Sequence, residues 1–122
     1  MGNQSIFDAV VMEESAGNPL AASIKGARGL MQITQPALDD YNTYNKQKLT
    51  MDDMYDSGSN KTVGEWYLSS RIPKMLTAYK VPVTLENILW AYNAGIGNVV
   101  KGIKPKETVS YIEKVMGRLK EK

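Results

Sequence analysis

Apolar positions along the chain recur at helical spacing, in short runs interrupted by Gly, Pro, Asn and Asp. No stretch alternates apolar and polar residues as a half-buried strand does. A helix is predicted from about Ile6 to Ser15, opened by the capping-box-like Ser5-Ile6-Phe7-Asp8 and stopped by Gly17-Asn18-Pro19. Two glycines within Ser23–Gly29 predict a tight, irregular loop. Pro36 suits the first turn of a helix reaching Asp40 or Tyr41, after which the polar Asn42–Thr50 reads as a surface excursion. Thr50-Met51-Asp52-Asp53 caps a short turn. Beyond Asp56-Ser57-Gly58-Ser59, a helix from about Asn60 to Ser70 carries Val63, Trp66 and Tyr67 on one stripe. Pro73 ends or kinks that helix, or starts another through about Tyr79. Thr84 caps a helix from Leu85 to Ala94, closed by Gly95. A last helix runs from about Glu107 to Lys120, with Val109, Ile112, Val115, Met116 and Leu119 inward. With no repeat, low-complexity stretch or linker, the expectation is one compact all-α domain spanning residues 1–122.

Composition narrows the chemistry. The chain has 122 residues, enough for a real core, and a net charge of only +2, too small by itself to argue for a nucleic-acid partner, and none is expected. Residues 99–122 hold seven Lys/Arg against three Glu. That basic stretch fits an anionic polymer, but more simply a solvated helix face. There is no cysteine and no histidine. Thiolate chemistry, His-based triads and the usual zinc sites are thereby excluded, and any catalysis must run on carboxylates, Lys, Tyr or backbone dipoles. Neither a metal nor a cofactor is expected. No signal-peptide pattern is visible at Met1-Gly2-Asn3-Gln4, and no segment has the length of a membrane span.

One carboxylate is out of place. Advancing roughly 100° per residue, Ile6, Val10, Phe7 and Val11 cover one arc of the first helix, and Glu14 falls in its middle. Apolar surroundings disfavour the charged form and raise a carboxyl pKa, as a general acid for glycosidic cleavage requires. The plainer alternative is a carboxylate on a last turn that is already leaving the core. Periodicity does not choose between them.

Glu14-Ser15 is followed by Ser23-Ile24-Lys25-Gly26-Ala27-Arg28-Gly29-Leu30-Met31-Gln32, then Ala91-Tyr92-Asn93-Ala94-Gly95, then Glu107-Thr108-Val109-Ser110-Tyr111-Ile112. In this order, and covering nearly the whole chain, the set resembles the catalytic domain of the soluble lytic transglycosylases, a family similar in fold to goose-type lysozyme. The resemblance implies a lysozyme-like helical domain that cleaves the N-acetylmuramic acid–N-acetylglucosamine bond of peptidoglycan. Glu14 would act first as acid and then as base, leaving 1,6-anhydro ends. The sugar's own N-acetyl oxygen would stabilise the developing cation, so no protein nucleophile is needed.

By the same resemblance, Ser23 and Gln32 bond the acetamido sugar or position Glu14, Met31 lines the groove, Tyr92 bonds the reacting sugar or Glu14, and Asn93 meets the sugar. Tyr111 faces the catalytic carboxylate, and Glu107 binds a sugar or a peptide amine. Each also has a structural reading. Ser23 and Gln32 can serve the backbone of a Gly-rich loop, Met31 and Tyr111 can be core, Asn93 can hold a helix terminus, and Glu107 suits the first turn of any helix. Gly26 and Gly29 are backbone necessities. Trp66 and Trp90 are candidate sugar platforms, but their helical stripes read more simply as core. The expected partner is the peptidoglycan strand, met in the periplasm, the cell wall or on a virion. The chain itself would be a monomer, or a domain of a larger protein.

Goose-type lysozymes carry an aspartate directly after Gly-Leu-Met-Gln-Val, where this chain has Thr34. An inverting hydrolase needs a second carboxylate to activate water. Its absence favours transglycosylation over a hydrolytic muramidase, for which Asp39 and Asp40 are the nearest substitutes. A non-catalytic glycan-binding or structural module of a virion or secretion apparatus is the third reading. If Glu14 must be protonated for the first step, turnover falls as pH rises through its pKa. A rate flat from acid to well above neutral, measured on purified peptidoglycan, would remove Glu14 from that role.

Overall fold

Side-chain caps from Thr34, Asp56 and Thr84 start three of the helices in the computed structural model, which describes residues 5–120. The described chain is all-α. Helix α1 (Ile6–Ser15) leads through a loop to α2 (Gln35–Asn45), a 3₁₀ turn (Met51–Tyr55) and α3 (Ser57–Trp66). A π turn (Tyr67–Arg71) connects α3 to α4 (Ile72–Ala78), followed by α5 (Leu85–Ala94), α6 (Ile96–Lys101) and α7 (Lys106–Lys120). No strand forms among the described residues. Only isolated bridges pair Ala22 with Arg28 and Arg28 with Ile33.

Two units divide the fold, Phe7–Tyr67 and the described residues from Leu68 onward together with Ser5 and Ile6. In the first, α2 and the 3₁₀ turn pack on α3. Val10, Met31, Ile33, Leu38, Met54 and Val63 are buried there. Each such side chain contributes about 1.5–3 kcal/mol on leaving water. In the second, α5 packs on α4, α6 and α7. Its buried set includes Leu68, Ile72, Leu76, Leu89, Val99, Ile112 and Val115.

The helix expected from Leu85 to Ala94 has those bounds, with the Thr84 hydroxyl accepting from Asn87 N–H at its start and Gly95 at its end. Other bounds differ for identifiable reasons. Helix α2 runs four residues past Tyr41, because the polar Asn42–Asn45 form an outward-facing turn closed by Lys46 in the left-handed conformation. Asn45 donates back to the Tyr41 carbonyl at 3.0 Å. Helix α3 starts at Ser57 rather than Asn60, since Asp56 caps it by accepting from Ser59 N–H at 2.9 Å. The Ser-Gly-Ser that reads as a break is its first turn. Pro73 has no N–H for the Ser69 carbonyl, so the α ladder cannot pass unbroken through this stretch, and the chain widens into the π turn before α4. Helix α6, between Gly95 and Gly102, was not expected at all.

Helix α7 buries Thr108, Tyr111, Ile112 and Val115. Val109, expected inward, is 39% exposed, and Met116 and Leu119 are only half-buried. The buried stripe is therefore turned toward the polar Thr108.

The Ser59 hydrogen bonds hold the Asp56 carboxyl below its ordinary value of 3.8. A depressed pKa gives stability that is present above the unfolded value and lost as pH falls through the folded one. Asp56→Ala should therefore lower the thermal midpoint at neutral pH and cost little near pH 2, as read by circular dichroism. Asp56→Asn, which keeps an acceptor, should retain most of the neutral-pH stability.

Candidate functional site

Glu14 lies on the last turn of α1 and is half-buried. The turn is closed tightly. Ser15 donates its hydroxyl to the Val11 carbonyl at 3.1 Å and accepts from Gly17 N–H at 3.2 Å. Ala16 follows with φ of 53°, a left-handed conformation that costs a residue with a Cβ about 1–2 kcal/mol. The chain accepts this strain at the second residue after Glu14.

The loop that carries Ser23, Met31 and Gln32 is held by its own polar groups. Ser23 bonds Ala27 twice, its N–H donating to the Ala27 carbonyl at 2.9 Å and its hydroxyl accepting from Ala27 N–H at 3.0 Å. Arg28 and Ile33 exchange backbone bonds of 3.0 and 2.9 Å. Gln32 has φ of 52°. Its side-chain amide donates to the carbonyls of Ala21 at 3.2 Å and Gly29 at 3.0 Å. Gln32 thus has its amide nitrogen on the loop backbone, as in the structural reading of that residue. Met31 is fully buried, packed so closely on Gly64 that a Cβ there would collide with its sulfur. Ser23 is exposed.

One residue that sequence reasoning passed over organises this loop. Asn60 is fully buried. Its side-chain oxygen accepts from Met31 N–H, and its nitrogen donates to the carbonyls of Arg28 and Met54, each at 2.9 Å. All four hydrogen-bonding sites of the amide but one are engaged. Gly29 sits directly against it, and a Cβ at that position would run into the Met54 carbonyl and the Asn60 amide. The signal was available, since Asn60 is a polar residue on the stripe that continues through Val63 and Gly64. From the outside, Arg28 pairs with Asp52 at 2.8 Å and lies over the Tyr55 ring.

The second unit carries the other motif residues. Tyr92 is half-buried near the end of α5, and the exposed Asn93 follows it. The Thr108 hydroxyl donates to the Asn93 side-chain oxygen at 2.8 Å, joining α5 to the first turn of α7. Thr108 is buried and was also overlooked. Glu107 is exposed in the first turn of α7, where a carboxylate suits the helix dipole, and Tyr111 is buried one turn on. Trp66 and Trp90 are half-buried rather than core. Trp90 donates to the Ile103 carbonyl at 2.9 Å, with the Lys104 ammonium over its ring. Thr34 caps α2, its hydroxyl accepting from Ala37 N–H, while Asp39 is exposed and bonded to Gln35 at 2.8 Å.

Comparison with known proteins agrees with the motifs. The family model described as the transglycosylase SLT domain matches residues 1–115. A membrane-bound lytic murein transglycosylase E of Buchnera aphidicola is 28% identical over 116 residues, covering 90% of this chain and 52% of that protein. A membrane-bound lytic murein transglycosylase C of Salmonella arizonae is 29% identical over 103 residues, covering 81% of this chain and 29% of that protein. The chain thus spans about half the length of one curated relative and under a third of the other. No described helix is long and apolar enough to cross a membrane.

Asn60→Ala would take the Asn60 acceptor from the Met31 N–H and one donor each from the Arg28 and Met54 carbonyls. Unfolding in urea should show a loss of about 3 kcal/mol. The Met31 amide should lose its protection from hydrogen exchange. Unchanged exchange at Met31 would remove Asn60 from this role.

Proposed function

Because the chain belongs to the transglycosylase SLT domain family, we propose that it cleaves the β-1,4 bond between N-acetylmuramic acid and N-acetylglucosamine in peptidoglycan without using water. Glu14 gives its proton to the bridging oxygen as the bond from C1 breaks. The acetamido oxygen of the same sugar stabilises the positive charge that develops at C1. The muramic acid C6 hydroxyl then bonds to C1 and returns its proton to Glu14, leaving a 1,6-anhydro end and a regenerated acid. Atoms and protons balance with no second protein acid and no cofactor.

The observation that carries this reading is the placement of Glu14. It lies half-buried on the last turn of α1, two residues before the left-handed Ala16, in the segment that leads on to the Gly-rich loop with Ser23 and Gln32. Half-burial leaves the carboxyl within reach of a ligand while part of its surface is packed against the protein. Ser23, exposed on the loop, is the residue offered for the acetamido group. Gln32 acts mainly by holding the loop in shape and Met31 by supporting it from beneath. Tyr92, Asn93, Glu107 and Tyr111 are assigned to the sugar and its substituents on the strength of the family motifs they match. Thr34 as a neutral helix cap and Asp39 as an exposed partner of Gln35 support the lyase over a hydrolase. The unit of function is one catalytic domain acting as a monomer on glycan strands in the periplasm or cell wall, or at a virion surface, whether alone or within a longer protein.

Mass spectrometry of muropeptides released from purified peptidoglycan tests the reaction. Products one water lighter than hydrolysed fragments, and lacking a reducible muramic acid end, are expected. Reducible ends would make the protein a muramidase. Glu14→Gln should abolish release, by about 10²-fold or more, with the fold intact by circular dichroism. Equal product from the variant would overturn the assignment.

A further inference from the structure

The last turn of α2 and the end of α3 bring four aromatic rings together on the Phe7–Tyr67 unit. Tyr41 meets Trp66 edge to face, with centroids 5.5 Å apart and planes at 85°. Tyr44 lies 6.0 Å from the same indole at 39°, and Tyr67 lies 6.2 Å from it at 48°. These residues are not core. Tyr44 is 60% exposed, and Tyr41, Trp66 and Tyr67 are each half-buried. None of them belongs to the motifs that carry the proposed reaction, and the turn that presents Tyr44 was expected to be loop.

Here every ring bears a polar atom, and the exposed neighbours are amide, hydroxyl and ammonium groups: Thr43, Lys46, Gln47 and Lys48. That combination matches a pyranose, which has an apolar face of C–H bonds and a rim of hydroxyl and acetamido groups. Two-torsion aromatic side chains present such area at little entropic cost. The edge of Tyr41 against Trp66 fixes the indole further, so the surface is organised before a ligand arrives.

We propose that Tyr41, Tyr44 and Trp66 form an accessory glycan-stacking surface, holding an N-acetylated β-1,4 glycan at pyranoses other than the pair being cleaved. It rests on the reading of the chain as a peptidoglycan-cleaving enzyme. Its effect is to raise residence on a long, insoluble strand without altering the bond-breaking step. A protein ligand would need a contiguous surface several times larger than these few rings.

Tyr44→Ala is the test, because its largely exposed ring can be removed without opening the core. In a Glu14→Gln background, co-sedimentation with insoluble peptidoglycan and titration with N-acetylchitotetraose, followed by tryptophan fluorescence, measure binding without turnover. Binding should weaken about three- to tenfold on loss of one ring. Tyr44→Phe should bind as the parent does. In the active chain, Tyr44→Ala should slow release from insoluble peptidoglycan while leaving cleavage of short soluble fragments unchanged. Equal binding by Tyr44→Ala and its parent, or equal loss of activity on short and long substrates, overturns the proposal. An active parent with unchanged Tyr44→Ala binding defeats this surface alone. A parent that releases no product defeats the proposed reaction instead.

Discussion

A backbone segment that passes through a protein interior must find partners for its amides and carbonyls, and the Gly-rich loop of the Phe7–Tyr67 unit finds them on Asn60. One primary amide, fully buried, joins the loop at Arg28 and Met31 to the 3₁₀ turn at Met54. The other features of the loop follow from that clamp. Gly29 has no Cβ because the amide and the Met54 carbonyl occupy the space. Gly64 has none because Met31, held by its N–H, fills the space beside α3. Gln32 is driven into a left-handed conformation, and its own side chain compensates by bonding two nearby carbonyls.

The second unit solves a parallel problem with hydroxyls and glycines. Asn93 and Thr108 tie the end of α5 to the start of α7 across a segment that turns at Gly95 and Gly102. Tyr92, Glu107 and Tyr111 are thereby carried on helix ends and first turns, where a backbone can be fixed closely without a long scaffold.

Much of this was legible from the residues. Helix α5 announced itself at both ends because Thr84 and Gly95 are strong local signals. Glu14 was conspicuous because a carboxylate interrupts an apolar arc. The misses arose where local chemistry has two outcomes. Polarity marks an exposed helical turn as readily as a loop, which hid the end of α2 and its tyrosines. Asp-Ser-Gly-Ser resembles a break but caps α3. Helix α6 is too short to show a period between its glycines. The stripe of α7 was misplaced by one position, since Thr108 is buried for a hydrogen bond that no hydropathy pattern records. Asn60 was passed over because its value lies in three backbone partners far away in sequence.

Thr34 has a consequence for how such chains diversify. It sits exposed at the start of α2, and what the fold asks of it is an oxygen to receive an amide proton. Aspartate meets that demand as well as threonine does. The position where goose-type lysozymes carry an acid is thus one at which the helix is indifferent to the exchange. Swapping the two would change the charge at the end of the Gly-rich loop while leaving the helix its cap, so at this position local charge and helix stability are set independently.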